Sequence, residues 1–158
     1  RDRRPHPRPG PGDPRDRRSN LRAVIQRVTA GAVSVDGQEV SRIGPGLVVL
    51  LGVSREDGSE QARRMADRIR KLRIFSDDEG RMNEALGDRE VLCVSQFTLY
   101  ADTTSGNRPG YRDAAPGETA EPLYEEVCEL LGARRGVFGA DMEVEITGDG
   151  PVTITLEV

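Results

Sequence analysis

The stretch Ile43–Val53, IGPGLVVLLGV, decides how the chain folds. Gly44-Pro45-Gly46 is a sharp backbone break, and Leu47–Val53 follows it as an unbroken apolar run with no alternating polar position. Such a run suits a strand buried on both faces. Before it, Arg22–Ala30 and Ala32–Asp36 read as strands, Asp36-Gly37 is a hairpin turn signal, and Gln38–Ile43 returns. After it, a helix is predicted from Ser59 to Leu72, because Ala62, Met65, Ala66, Ile69 and Leu72 form one apolar stripe with Arg and Asp opposite.

Farther out, Arg73–Phe75 reads as a short strand before the polar turn Ser76–Gly80, and Val91–Val94 as a buried strand running into Ser95-Gln96-Phe97-Thr98. Ala101–Ala115 is a long polar loop, too rich in Gly, Pro and Asn for regular structure, and such loops inside compact domains often carry function. A second helix is expected over Glu121–Leu131, with Pro122 in its first turn and Gly132 ending it. Met142–Thr147 and Val152–Val158 read as strands around a Gly148-Asp149-Gly150-Pro151 turn. In the second of these, Val152, Ile154, Leu156 and Val158 alternate with Thr153, Thr155 and Glu157, so one face is buried. Many strands and two helices without strict βαβ alternation predict an α+β fold with a largely antiparallel sheet. There is no internal repeat.

The 158 residues suffice for one domain with a real core. The first twenty residues stand apart: seven Arg, three Asp, five Pro and two Gly, without a large apolar side chain. Such a segment cannot offset its chain entropy, so 1–20 is expected to be a disordered Arg/Pro-rich tail and 21–158 a single domain. The tail reads either as an upstream extension or as a basic arm for RNA phosphate. The remainder holds sixteen basic against twenty-four acidic residues, a net charge of −8. It has no broad basic footprint for binding nucleic acid by charge alone, and RNA handled by it would be gripped at a small feature. Cys93 and Cys128 sit far apart in apolar surroundings without metal-ligand spacing. With no membrane-length apolar stretch, a soluble cytoplasmic protein is expected.

The chemistry is bounded by what is missing. The single histidine is His6, in the tail, which argues against Ser-His-Asp, Cys-His and histidine-zinc arrangements. Neither a phosphate loop nor a dinucleotide fingerprint occurs, and the sole lysine, Lys71, lies in a predicted helix. No metal or other cofactor is expected. An enzyme built this way relies on main-chain donors, hydroxyls or groups of its substrate. Three places qualify, each with a plainer reading. Ser95-Gln96-Phe97-Thr98 follows a buried strand, where hydroxyls and freed N–H groups face either a pocket or solvent. Thr103–Pro109, TTSGNRP, holds a phosphate or terminal nucleotide, or is a surface turn. Gly150-Pro151 presents bare carbonyls to a neighbour, or is an ordinary hairpin turn.

SQFTLYADT (Ser95–Thr103) resembles the first signature of the D-aminoacyl-tRNA deacylases, and GPVT (Gly150–Thr153) their second. RAVIQRVT (Arg22–Thr29), VSVDG (Val33–Gly37), IGPGLVVLLGV, LRIFSDDEGRMN (Leu72–Asn83), GNRP (Gly106–Pro109) and FGADM (Phe138–Met142) are similar to the same family, in order. The resemblance spans Leu21 to Val158.

It implies a barrel-like roll with two helices packed on it, and a homodimer with active sites at the subunit interface. The implied reaction is ester hydrolysis at the aminoacyl-tRNA 3′ end, releasing D-amino acids, or glycine mischarged on tRNA-Ala. Carried across, the Gly150 and Pro151 carbonyls would hold the substrate ammonium and exclude an L side chain. The segment of Ser95, Gln96, Phe97 and Thr98 would line the adenosine and ester, with N–H groups near Phe97 and Thr98 stabilising the oxyanion. Thr98 as nucleophile and activation by the tRNA 2′-hydroxyl compete, and the lack of a usable histidine favours the second. Arg27 resembles the arginine that steadies the Gly-Pro turn. The chain departs from the family at Gly148, where Asn is usual, at Gly110-Tyr111, where Ser-Phe is common, and at Val137, often Arg. A module of the same fold that binds RNA ends without catalysis is the reading from a different class.

Overall fold

Strand β1 (Arg22–Val35) is the centre of the sheet, and both its edges are occupied. These observations come from a computed structural model that describes residues 20–158; all of the segment read above as a tail except Asn20 lies outside them. On one edge, the first half of β1 pairs antiparallel with β3 (Gly46–Gly52) and the second half with β2 (Gln38–Ile43). On the other edge, the last long strand, β8 (Glu143–Glu157), runs antiparallel along nearly the whole of it.

Strand β3 also pairs in parallel with β6 (Glu90–Ser95), and β6 with the short β7 (Arg134–Arg135). Helix α1 (Ser59–Lys71) lies in the crossover from β3 to β6, and α2 (Gly117–Leu131) in that from β6 to β7. The sheet is therefore mixed. It curls until β2 meets β7, where the Ser41 hydroxyl donates to the Arg135 carbonyl, and the result is a nearly closed roll carrying two helices. A separate hairpin, β4 (Phe75–Ser76) with β5 (Met82–Glu84), follows α1.

Period-two alternation sends β3 side chains to two cores. Leu47, Val49 and Leu51 pack against α1 and α2, with Met65, Ile69, Tyr124 and Val127 among their partners. Val48 joins Val28, Val33, Ile43, Leu92 and Val94 inside the roll. Each such Val or Leu contributes roughly 1.5–3 kcal/mol on burial, so the unbroken apolar run is stable only between two layers.

Several elements differ from expectation. The two upstream segments form one strand, because β8 bridges the Ala30–Gly31 join. Residues 148–151 are no hairpin turn: Gly148 and the chain on both sides pair with β1, and 149–152 are a bulge within β8. Helix α2 begins at Gly117 rather than Glu121, since the Pro116 carbonyl accepts from Thr119 and Ala120, and Pro122 therefore lies inside it. The β5 strand was not foreseen, and β4 begins at Phe75 rather than ending there. Among the described residues no helix is long and apolar enough to cross a membrane.

Between β3 and α1, Asp57 accepts a hydrogen bond from the Ser54 N–H at 2.7 Å, while its second oxygen is buried without a hydrogen-bond partner among the described residues. Burial raises the Asp57 pKa, and the Ser54 N–H opposes this only in part. A carboxyl raised in the fold favours the folded state below its unfolded pKa, and that contribution is lost as pH rises through the folded value. Asp57→Asn retains an acceptor for Ser54 without the charge. Its thermal midpoint should exceed that of the unsubstituted chain at neutral pH, and the gap should close as pH falls towards about 4.

Candidate active site

The end of β6 turns directly into a short 3-10 helix, Phe97–Tyr100. This turn lies against the end of β3 because Gly52 has no side chain. A Cβ there would stand 2.8 Å from Tyr100 Cε2 and 3.1 Å from the Gln96 carbonyl oxygen. Several bonds hold the turn in place. The Gln96 N–H donates to the Leu51 carbonyl at 2.8 Å, the Tyr100 hydroxyl to the Gly52 carbonyl at 3.1 Å, and Arg22 Nη1 to the Leu99 carbonyl at 2.9 Å. The Arg22 guanidinium also lies 4.7 Å from the centre of the Tyr100 ring. Burial pushes the Tyr100 phenol well above its ordinary pKa, so it remains a donor.

The first hydrogen bond closing this turn is Leu99 N–H to the Gln96 carbonyl at 3.3 Å. The N–H groups of Phe97 and Thr98 precede it, and a helix leaves its leading donors without internal acceptors. Beside them opens a cleft of about 420 Å³. Ser95, Gln96 and Phe97 form one wall, Ala115, Gly117 and Ala120 a second, and residues 138–142 a third, with Val53, Val94 and Val144 completing it. The walls are mostly small and apolar. Asp141 is the one ionisable lining residue among those described, and the N-terminus of α2 adds positive potential.

Of the residues expected at a site, Ser95, Gln96 and Phe97 line this cleft. Thr98 is half-buried next to them, and its hydroxyl accepts a hydrogen bond from Gln96 Nε2. Gly150, Pro151 and Arg27 do not line it. They form a second assembly, where β8 faces Arg27 of β1. Gln26 pairs with Thr153 and Val28 with Gly148, so residues 149–152 stand opposite Arg27 alone. Arg27 Nε donates to the Asp149 carbonyl at 3.2 Å and lies 3.2 Å from its carboxylate, while Nη1 donates to the Ile74 carbonyl at 2.6 Å. The Gly150-Pro151 peptide is cis, and both residues are exposed. Gly150 has φ +121, and a Cβ on it would meet Val152 at 3.0 Å and Arg27 Nη2 at 3.1 Å. Gly148 has open space around it.

The two walls contributed by residues 115–120 and 138–142 were not assigned to a site from sequence. The FGADM segment was visible as a matched motif, but nothing in its composition marks it as a wall.

The fold recurs in a solved structure described as a probable eukaryotic D-amino acid tRNA deacylase, at TM-score 0.76 over 88% of this chain and all of that one, with 16% identity. A second solved structure, described as c-Myc DNA Unwinding Element Binding Protein, aligns at TM-score 0.82 with 42% identity over 87% of this chain and 98% of its own. The family described as D-Tyr-tRNA(Tyr) deacylase matches residues 24–157. Relatives named D-aminoacyl-tRNA deacylase include those of Anaeromyxobacter dehalogenans, 54% identical over 87% of this chain and 97% of the relative, and Deinococcus radiodurans, 48% identical over 87% and 100%. The chain belongs to the D-Tyr-tRNA(Tyr) deacylase family, whose members are hydrolases.

Gly52→Ala should therefore leave the fold intact but push the 3-10 turn away from β3. A displacement of this kind costs roughly a hundredfold in rate when it misplaces reacting groups. Unchanged circular dichroism with a large loss of aminoacyl-ester hydrolysis is the expected pair of results.

Proposed function

We propose that the chain hydrolyses the ester linking a D-amino acid, or glycine mischarged on tRNA-Ala, to the terminal adenosine of tRNA, and so removes wrongly charged tRNA in the cytoplasm. The observation that carries this reading is the exposed Gly150-Pro151 bulge, pinned by Arg27 yet absent from its own chain's cleft. In the proposed arrangement the bulge of one subunit closes the cleft of its partner in a homodimer.

The Gly150 and Pro151 carbonyls accept from the substrate ammonium there, and the N–H groups of Phe97 and Thr98 meet the oxygen that gains charge as water adds to the ester carbonyl. Ser95 and Gln96 position the terminal ribose. Thr98 serves as a contact rather than the nucleophile: its hydroxyl receives the Gln96 amide donor, and an amide cannot take up the hydroxyl proton. The 2′-hydroxyl of the terminal ribose then activates the attacking water, and the 3′ oxygen leaves with a proton as free tRNA.

Chirality follows from sterics. With ammonium and ester carbon both fixed, a D side chain leaves through the remaining opening, glycine needs no opening, and an L side chain runs into the Gly-Pro backbone. A clash discriminates more strongly than a missing contact, so rejection of L rather than grip on any one D side chain sets selectivity.

D-tyrosyl-tRNA and glycyl-tRNA-Ala should be hydrolysed readily and L-tyrosyl-tRNA spared by orders of magnitude; comparable D- and L-tyrosyl rates measured side by side would refute the site as drawn. Light scattering should give about twice the chain mass, and on dilution activity should disappear together with the dimer. A fully active monomer would show that no partner closes the cleft.

A further inference from the structure

Most of the chain's three Phe and three Tyr are at least partly buried, but Phe97 and Tyr111 are 54% and 38% exposed, and they touch each other. Their ring centres lie 4.9 Å apart at 73°, edge to face. Phe97 stands at the wall of the cleft, so Tyr111 extends that wall outward along the surface. The backbone carrying Tyr111 is fixed on both sides. Before it, Asp102 and Gly110 exchange N–H to carbonyl bonds of 2.8 and 2.9 Å across the base of the loop. After it, the Ala115 N–H donates to the Val53 carbonyl at 2.9 Å, and Arg55 Nε to the Arg112 carbonyl at 2.5 Å.

The same loop carries Arg108 and Arg112, both exposed, with exposed Arg55 bonded beside them. Among the described residues none of these three arginines forms an ion pair with a carboxylate. In a region whose net charge is −8, this loop balances Arg108 and Arg112 against Asp102 and Asp113. An exposed aromatic pair whose Tyr111 shares that loop with arginines outside any ion pair, at the rim of a cleft, is a local exception. Aromatic faces accept stacked bases with little sequence preference, and arginine supplies the phosphate contact.

We propose that the Phe97–Tyr111 pair is a stacking platform for the base next to the terminal adenosine of the tRNA, with Arg108 and Arg112 at the phosphate joining the two. The platform rests on the deacylase reading for the identity of its RNA, and it grips the acceptor end one nucleotide beyond the ester. Recognition is confined to the single-stranded end, which suits a region, 21–158, whose net charge is −8.

The test compares two substrates: D-tyrosyl-tRNA, which has the neighbouring nucleotide, and the D-tyrosyl ester of adenosine, which lacks it. Tyr111→Ala should raise KM for D-tyrosyl-tRNA roughly tenfold more than for the adenosine ester, and Tyr111→Phe, which keeps the ring, should restore it. Equal effects on both substrates, or none, would overturn the platform. A binding readout separates this from the activity itself. An uncharged oligoribonucleotide ending in CCA, with 2-aminopurine in place of the penultimate cytidine, should be quenched by the unsubstituted chain and not by Tyr111→Ala. Quenching without hydrolysis of either ester would retain the platform and reject the deacylase. Hydrolysis without quenching would do the reverse. Loss of quenching capacity together with a Tyr111-dependent dimer in light scattering would assign the pair to a subunit contact instead.

Discussion

Strand β1 is hydrogen-bonded along both edges, and that single constraint organises everything else. A buried strand must satisfy its main-chain groups on both sides. The first half of β1 does so with β3, the second half with β2, and β8 covers the opposite edge almost from end to end. Because pairs form on each side of residues 149–152, the surplus chain cannot be absorbed into the ladder. It stands out of the sheet at one place, opposite Arg27, and the guanidinium there supplies donors to the Asp149 and Ile74 carbonyls. Gly150 and Pro151 are thus exposed by register, as residues inserted into one strand of a pair leave the ladder.

The cleft obeys the same logic of fixed main chain. Its polar equipment is short: a hydroxyl, an amide side chain, the Asp141 carboxylate and the leading N–H groups of a 3-10 turn. Such donors are effective only if they do not have to reorganise, and preorganised dipoles in an enclosed site act more strongly than the same groups in water. Gly52, Tyr100 and Arg22 serve that purpose, the first by letting the turn approach and the others by tying it down. None of the three touches the cleft, yet each determines where its donors point.

Much of this was legible in the residues. The Leu47–Val53 run announced a strand between two layers, and it packs against the helices on one side and the roll interior on the other. The α1 stripe of Ala62, Met65, Ala66 and Ile69 is buried as its period required, and Gly132 ends α2 in a left-handed conformation. Family motifs pointed to Ser95–Thr98, and three of those four residues line the cleft. The errors fell where local signals were ambiguous. Gly148-Asp149-Gly150-Pro151 has the composition of a hairpin turn and became a bulge, since both flanks had the same distant partner in β1. Pro122 suits a first turn and so pointed to a start at Glu121, while the Pro116 carbonyl accepts from Thr119 and Ala120 and starts α2 at Gly117.

By itself, then, the sequence determined where most of the strands and both helices lie, which faces are apolar, and which short motifs resemble the family's, since each depends on neighbours within a few positions. Tertiary structure alone decided that β8 pairs with β1 rather than with itself, that residues 138–142 and the start of α2 wall the cleft, and that Arg27 meets Asp149 across 122 positions. The physical reason is that pairing and packing between distant segments are settled by competition among all available partners. Periodicity reports only the side a residue turns inward, and not what it meets there.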